Sequence, residues 1–310
     1  MEVVMQRVWV LGDAVVDLLP EGEGRYLRCP GGAPANVAVG VARLGGDAAF
    51  IGRVGADPFG RFLATTLVQE GVDVSRLMLD SDGRTSTVLV DLDEQGERSF
   101  TFMVRPSADQ RLTAADLPTF GPGQWLLTCS IALANEPVRS ATWQAMAAIR
   151  AAGGRVCFDP NLRPEVWGEP GEMHPQVARA VREADVVKLS GEELAWLSGE
   201  TELEAGLAAL QGPALVLITL GKEGVVARLG QERLHWRGPV VTPVDTTGAG
   251  DAFVAGLLAA LAERTTLPGP DELPAILAQA HGCGALATTA KGAMTALPDR
   301  AALATFLGSR

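Results

Sequence analysis

The chain is poor in cysteine and in positive charge, and it contains no long apolar run. Four cysteines in 310 residues (Cys29, Cys129, Cys157 and Cys283) form no C-x-x-C pair. A disulfide scaffold would be denser and set in a smaller chain, so these are expected to be reduced, mostly buried thiols. Three histidines, His174, His235 and His281, stand far apart and match no zinc spacing. Lys and Arg number 26 against 37 Asp and Glu, a formal net charge of -11. Such a chain lacks the basic patch that nucleic acid or anionic lipid requires, so neither partner is expected. No apolar stretch approaches the ~20 residues of a membrane span. The opening MEVVMQRVWVLGD holds neither the apolar region nor the cleavage site of a signal peptide, so a cytoplasmic location is expected. Three catalytic signatures are missing too: the G-x-x-x-x-G-K-[ST] phosphate loop, the H-R-D and D-F-G pair, and the G-x-S-x-G nucleophile elbow.

What is present is 47% apolar residues, enough for a sizeable core, arranged as alternating strand and helix patterns. Short apolar runs at 7–11, 48–51, 125–128, 155–158, 186–189 and 214–219 read as buried strands. Helical patterns follow at 34–44, 57–71, 137–152, 175–183 and 192–197, with another from about 247–250 to 262 and the final helices beyond a loop at 265–274. Residues 85–93 and 97–103 are β-rich around Asp93-Glu94-Gln95-Gly96, a hairpin that interrupts the rhythm and predicts a separate small sheet. A second hairpin is predicted over 224–229 and 232–236. Gly282-Cys283-Gly284-Ala285-Leu286-Ala287 fits G-x-G-x-x-A formally, but follows no strand and reads as helix packing. Alternating strands and helices predict an α/β fold, a mostly parallel sheet covered on both faces. Its ligands belong outside the carboxyl ends of the strands, where Asp13, Asp159, Ser190 and Thr219 fall.

The sharpest stretch is Asp245-Thr246-Thr247-Gly248-Ala249-Gly250-Asp251. Small residues at a helix start let backbone N–H groups cradle an anion, as the developing charge of phosphoryl transfer requires. Asp251, in the first turn beside that cradle, is placed to accept the proton of an attacking hydroxyl. A second stretch, Gly31-Gly32-Ala33-Pro34-Ala35-Asn36, permits close backbone approach, and Asn36 offers donor and acceptor to hydroxyls. Asp13 and Asp17 supply carboxylates that suit sugar hydroxyls.

These stretches together resemble the ribokinase-like (pfkB-type) carbohydrate kinases. G-G-A-P-x-N-x-A with Gly45 and Gly55, then D-T-T-G-A-G-D-A-F-x-A-G, look like the family's two signatures, with supporting features from about Val8 to Pro298. GDAVVDLLP, Arg53-Val54-Gly55 and the segment 103–109 look most similar to bacterial fructokinases. The resemblance implies a three-layer α/β/α domain over 1–310, with a small β-sheet lid built from about 14–30 and 84–107. It implies Asp251 as base and Gly248, Ala249 and Gly250 as the anion hole. Asp13, Asp17, Gly31, Gly32 and Asn36 would hold a sugar, with Arg105 reaching in from the lid and Asn161 and Arg163 lining the acceptor site. ATP would meet Lys188, Glu193, Thr219, Gly221 and Gly224. Mg2+ is expected with it, although the family's N-x-x-E reads Ser190-Gly191-Glu192-Glu193 here. Asp245, Thr247 and Gly292 resemble a K+ site. Ala33 stands where ribose-specific members often carry Lys.

The reading is an ATP-dependent fructokinase making fructose 6-phosphate, the choice of fructose resting on resemblance. Other readings stay open. One is a kinase for 2-keto-3-deoxygluconate, whose carboxylate Arg105 would suit, or for a nucleoside. Another is a sugar-binding regulator that has lost catalysis, against which the intact Asp251 and cradle argue. A nicotinamide oxidoreductase is disfavoured because no strand-linked G-x-G-x-x-G exists. A homodimer through the lid is expected, because exposed sheet edges need cover.

Overall fold

The computed structural model describes residues 5–92, 98–103 and 106–308. The chain begins with β1 (Val8–Leu11), β2 (Val15–Pro20) and β3 (Tyr26–Gly31), then α1 (Ala33–Arg43), β4 (Ala48–Gly55), α2 (Pro58–Gln69) and β5 (Asp73–Asp80). The predicted hairpin follows as β6 (Thr87–Leu92) and β7 (Arg98–Met103), its turn lying outside the described residues. The rhythm resumes with β8 (Trp125–Cys129), α3 (Val138–Ala151), β9 (Arg155–Asp159), α4 (Pro170–Glu183), β10 (Val186–Ser190), α5 (Gly191–Ser198), α6 (Leu203–Ala209) and β11 (Leu215–Thr219). The second hairpin is β12 (Val225–Leu229) with β13 (Glu232–Trp236), and α7 (Ala249–Ala262), α8 (Leu273–Ala287) and α9 (Arg300–Gly308) close the chain.

Nine strands form one sheet in the order β13-β12-β11-β10-β9-β8-β1-β4-β5. It is parallel from β11 to β5, and only the β11–β12–β13 edge is antiparallel. The strand order reverses at β1, between β8 and β4, so the crevice for a ligand opens beyond the carboxyl end of β1.

Strand alternation sorts the core into two layers. Val8 and Val10 of β1 join a cluster with α1, α2, α7 and α8, whereas Trp9 and Leu11 join one with α3, α4, α5 and α6. That is a three-layer α/β/α arrangement. α7, AGDAFVAGLLAALA, is apolar on nearly every side because it is buried between α1, α8 and the sheet. The G-x-G-x-x-A stretch lies within α8 and packs on α7, as helix packing predicts.

A second, four-stranded sheet has the order β3-β2-β6-β7. Its strands come from the two chain segments that the resemblance assigned to a lid. The periodicity over 73–80 is too weak to mark β5, and α4 starts at Pro170 rather than 175, with Pro175 inside its first turns. Pro170, at the first helical position, forfeits only a donor that the first turn leaves unused, whereas Pro175 lacks the N–H that would reach the Gly171 carbonyl. All four cysteines are free thiols, and three are buried. Among the described residues no helix is long and apolar enough to cross a membrane.

Candidate active site

Gly248 caps α7 in the left-handed region at φ 77°, and a Cβ there would stand 2.8 Å from the Ala293 Cα, so glycine is required twice over. The first N–H groups of α7 have no partner inside the helix and carry its positive end. Asp245 shapes the approach. One carboxylate oxygen accepts from the Thr247 N–H (3.0 Å) and Oγ1–H (2.7 Å), and the other from the Gly292 N–H (2.9 Å). Asp245, Thr247 and Gly292, far apart in sequence, are thereby drawn together.

Asp251 follows in the first turn and is 8% exposed. Asn36, from α1, donates its Nδ2–H to the Asp251 carboxylate at 2.7 Å. Burial pushes the Asp251 carboxyl above its usual range, against the opposing pull of that hydrogen bond and of the Lys188 and Arg163 charges. Lys188, on the α7-facing side of β10, pairs with Asp159 of β9 at 3.3 Å. Burial works against its ammonium, but Asp159, Glu193 and Asp251 outweigh burial and hold its pKa above normal. A Cβ on Gly250 would stand 3.2 Å from the Lys188 Nζ, so the ammonium faces the cradle.

Asp13 lies just beyond β1. A Cβ on Gly32 (φ 95°) would lie 2.7 Å from the Asp13 carbonyl oxygen, so only glycine lets the start of α1 cross this strand end. Burial, then the charge of Asp109, push the Asp13 carboxyl up to about 7. Asp13 Oδ1 and Asn36 Oδ1 are buried with no hydrogen-bond partner. An orphaned buried acceptor costs about 1–3 kcal/mol, which a ligand's hydroxyl donor would recover.

Both orphans border a cavity of about 820 Å³, together with Asp17, Gly32, Asn161 and Arg163. Lys188, Glu193, Thr247, Gly248, Gly250 and Asp251 line its other side. A second cavity of about 440 Å³ is lined by Thr219, Gly221, Gly224, Ala249 and Gly250, over Phe253, His281 and Gly284. Gly250 borders both, so the cavities meet at the start of α7, beside Asp251.

Two predicted residues sit otherwise than expected. Gly31 does not line the cavity but makes room for the Asp17 carboxylate, 2.2 Å from where a Cβ would stand. Glu193 is engaged in a capping box. It accepts from the Ser190 N–H (2.8 Å) while Ser190 Oγ accepts from the Glu193 N–H (3.1 Å), and its other oxygen accepts from the Leu162 N–H (3.0 Å). S-x-x-E before an apolar run is a capping signature in its own right, and that signal was in the sequence. Arg105 lies outside the described residues.

Ser86 and Asp109 also border the first cavity, and sequence reasoning gave them no role. Asp109 closes the segment 103–109 but belongs to no strand end or glycine turn that would mark it. Likewise 239–243 and α8, which wall the second cavity, present mostly apolar and small residues besides His281, and no motif marks them. Among the described residues no three His, Cys, Asp or Glu side chains gather as a metal-ligand set.

A profile of the pfkB family carbohydrate kinases matches residues 5–300. The chain is 61% identical over 298 residues to a fructokinase of Klebsiella pneumoniae, covering 94% of this chain and 96% of that one. The crystal structure of fructokinase from Vibrio cholerae O395 with fructose, ADP and calcium superposes with a TM-score of 0.92 at 56% identity, covering 98% of this chain and 99% of the other. Aminoimidazole riboside kinase from Salmonella enterica, complexed with aminoimidazole riboside and an ATP analogue, gives 0.90 at 43% identity, covering 97% and 99%.

Proposed function

Because the chain belongs to the pfkB family of carbohydrate kinases and is an ATP-dependent sugar kinase, we propose that its acceptor is fructose and its product fructose 6-phosphate. The observation that carries the chemistry is the meeting of two cavities at Gly250, with Asp251, the next residue, lining the larger of them. The polar cavity receives the sugar, whose hydroxyls satisfy Asp13 Oδ1 and Asn36 Oδ1. Asp17, Asn161 and Arg163 complete the acceptor's surroundings. The apolar cavity receives the nucleotide, with Thr219, Gly221 and Gly224 at its edge.

The acceptor hydroxyl attacks the γ-phosphorus in line as Asp251 takes its proton, and the bond to the ADP oxygen breaks. The N–H groups of Gly248 and Gly250 and the Lys188 ammonium hold the negative charge that develops, while the Ala249 N–H, which donates to the Thr246 carbonyl at 3.2 Å, shapes the turn. Asn36 keeps the Asp251 oxygen oriented. Mg2+ would accompany ATP, and Glu193, whose oxygens each accept one hydrogen bond and keep a further lone pair, borders the larger cavity and would meet it directly or through water. When bound, that ion neutralises phosphate charge. Asp245, Thr247 and Gly292, drawn together by hydrogen bonds, are the place for K+. The four-stranded sheet acts as a lid that excludes water, within a single domain that works in the cytoplasm and dimerises through that sheet.

The test is ADP release with Mg-ATP across fructose, ribose, glucose, mannose, 2-keto-3-deoxygluconate and adenosine, with Asp251→Asn in parallel. Fructose should be preferred, and the variant should lose about 10²–10⁴ in kcat. Preference for another acceptor would overturn fructose, and full activity of the variant would overturn the base. Equal rates in sodium and potassium buffers would remove the K+ site. A nucleoside acceptor is the second reading, favoured by the structural likeness to aminoimidazole riboside kinase, and the adenosine arm decides it.

A further inference from the structure

Asp109 is a buried carboxylate that the mechanism above does not use. It lies in a short 3-10 turn, Asp109–Arg111, just after the segment leaving the four-stranded sheet. Ser86, just before β6 enters that sheet, donates its hydroxyl to Asp109 Oδ1, and the Ala108 N–H donates to the Arg84 carbonyl at 2.8 Å. Asp109 therefore ties the chain entering the sheet to the chain leaving it. Ser107 adds a second hydrogen bond to the same carboxylate.

That tie faces the acceptor. Ser86 and Asp109 border the larger cavity with Asp13, Asn36 and Asp251, and the charge of Asp109 reaches Asp13. Among the described lining residues the cationic groups are Arg163 and Lys188, and Lys188 is already paired with Asp159. Asp13, Asp17, Asp109 and Asp251 stand against them. A buried surface so rich in carboxylates accepts hydroxyl donors well and repels an anion, because like charges in a desolvated site cost far more than in water.

Resting on the reading of this cavity as the acceptor site, we propose that Asp109, held by Ser86 and Ser107, is a specificity-determining residue. Its carboxylate accepts a hydroxyl of an uncharged polyol and, with Asp13, turns away acceptors bearing a phosphate or carboxylate. No covalent step is involved. Discrimination arises because a site built to receive hydroxyl donors loses a paired interaction when the donor is missing.

The experiment compares wild type with Asp109→Asn and Ser86→Ala, using Mg-ATP and three acceptors: fructose, fructose 1-phosphate and 2-keto-3-deoxygluconate. Asp109→Asn should raise the KM for fructose about 10- to 100-fold, the range for losing a hydrogen bond to a charged group. Its kcat and its KM for ATP should stay within about twofold of wild type. The preference for fructose over fructose 1-phosphate should fall at least about tenfold as the repulsion is lifted. Ser86→Ala keeps the carboxylate and should show a smaller rise in KM with the preference retained. A merely structural role would lower kcat and the melting temperature without touching the preference, and that result overturns the proposal. Calorimetric titration of fructose, which needs no turnover, accompanies the kinetics. If wild type binds no fructose, the acceptor assignment itself fails. If wild type and Asp109→Asn bind fructose equally, only the role of Asp109 fails.

Discussion

Asp13 illustrates how a residue held ready for a ligand weakens the empty protein. Its folded pKa of about 7 lies above the roughly 3.9 of an unfolded aspartate. Between those values the folded chain holds a proton that the unfolded chain has released, so this group's contribution falls as pH rises from about 4 to 7. Asp13→Asn removes the buried charge. Its melting temperature should exceed that of wild type by several degrees at pH 8, and the gap should narrow steadily towards pH 4, while fructose binding is lost. A gap independent of pH would show that the charge is not the cause. Asn36 acts in the opposite sense, since its hydrogen bond favours the charged form of Asp251. Asn36→Leu should therefore move the acid limb of the kcat/KM profile to higher pH, and an unmoved limb would separate Asn36 from the base. Asp251, Asn36 and Asp13 were legible because each adjoins a glycine turn or a strand end. Asp109 and the Lys188–Asp159 pairing were not, because they depend on which strands and turns become neighbours in space.

Among the elements, α5 shows a local sequence rule deciding what a motif does. Ser190 and Glu193 close a reciprocal cap, and Glu193 also fixes the loop at Leu162, next to Arg163. An N-cap serine contributes about 1 kcal/mol relative to alanine, and asparagine caps about as well. Ser190→Ala should lower the melting temperature by about 1–2 °C, the scale for that loss in a chain of this size, whereas Ser190→Asn should leave it unchanged. If both variants melt alike, the cap is not what Ser190 supplies. Most of the layered sheet could be read from short apolar runs ending in polar residues, since buried parallel strands have no other pattern. β5, VSRLMLD after Asp73, was invisible because it is an edge strand with mixed exposure. β2 and β3 emerge through resemblance rather than periodicity, because Pro20 and Pro30 and a glycine-rich turn break the alternation.

For the whole molecule, the open question is what covers the four-stranded sheet. Its edges are β3 and β7, and an uncovered edge offers unpaired backbone groups to any other strand. Tyr26 and Leu27 on β3 are about half exposed, as is Met103 on β7, so apolar surface stands beside those edges. β3 carries Arg28 and Pro30, which protect part of its edge, and β7 opens at Arg98, yet both strands run six residues and leave these apolar side chains uncovered. A second copy, meeting the first through this sheet, would cover the apolar residues and brace the sheet beside the larger cavity. The chain has a mass of 32.4 kDa. Size exclusion with light scattering should give about twice that value at micromolar concentration. Leu27→Lys places a charge on the edge without touching either cavity, so it should shift the mass towards the monomer. It should also raise the KM for fructose more than that for ATP, because the four-stranded sheet lends Val15, Asp17 and Val88 to the larger cavity and no residue to the smaller. A monomeric wild type would leave the sheet to close unaided, and a monomeric variant with unchanged fructose KM would separate dimerisation from acceptor binding.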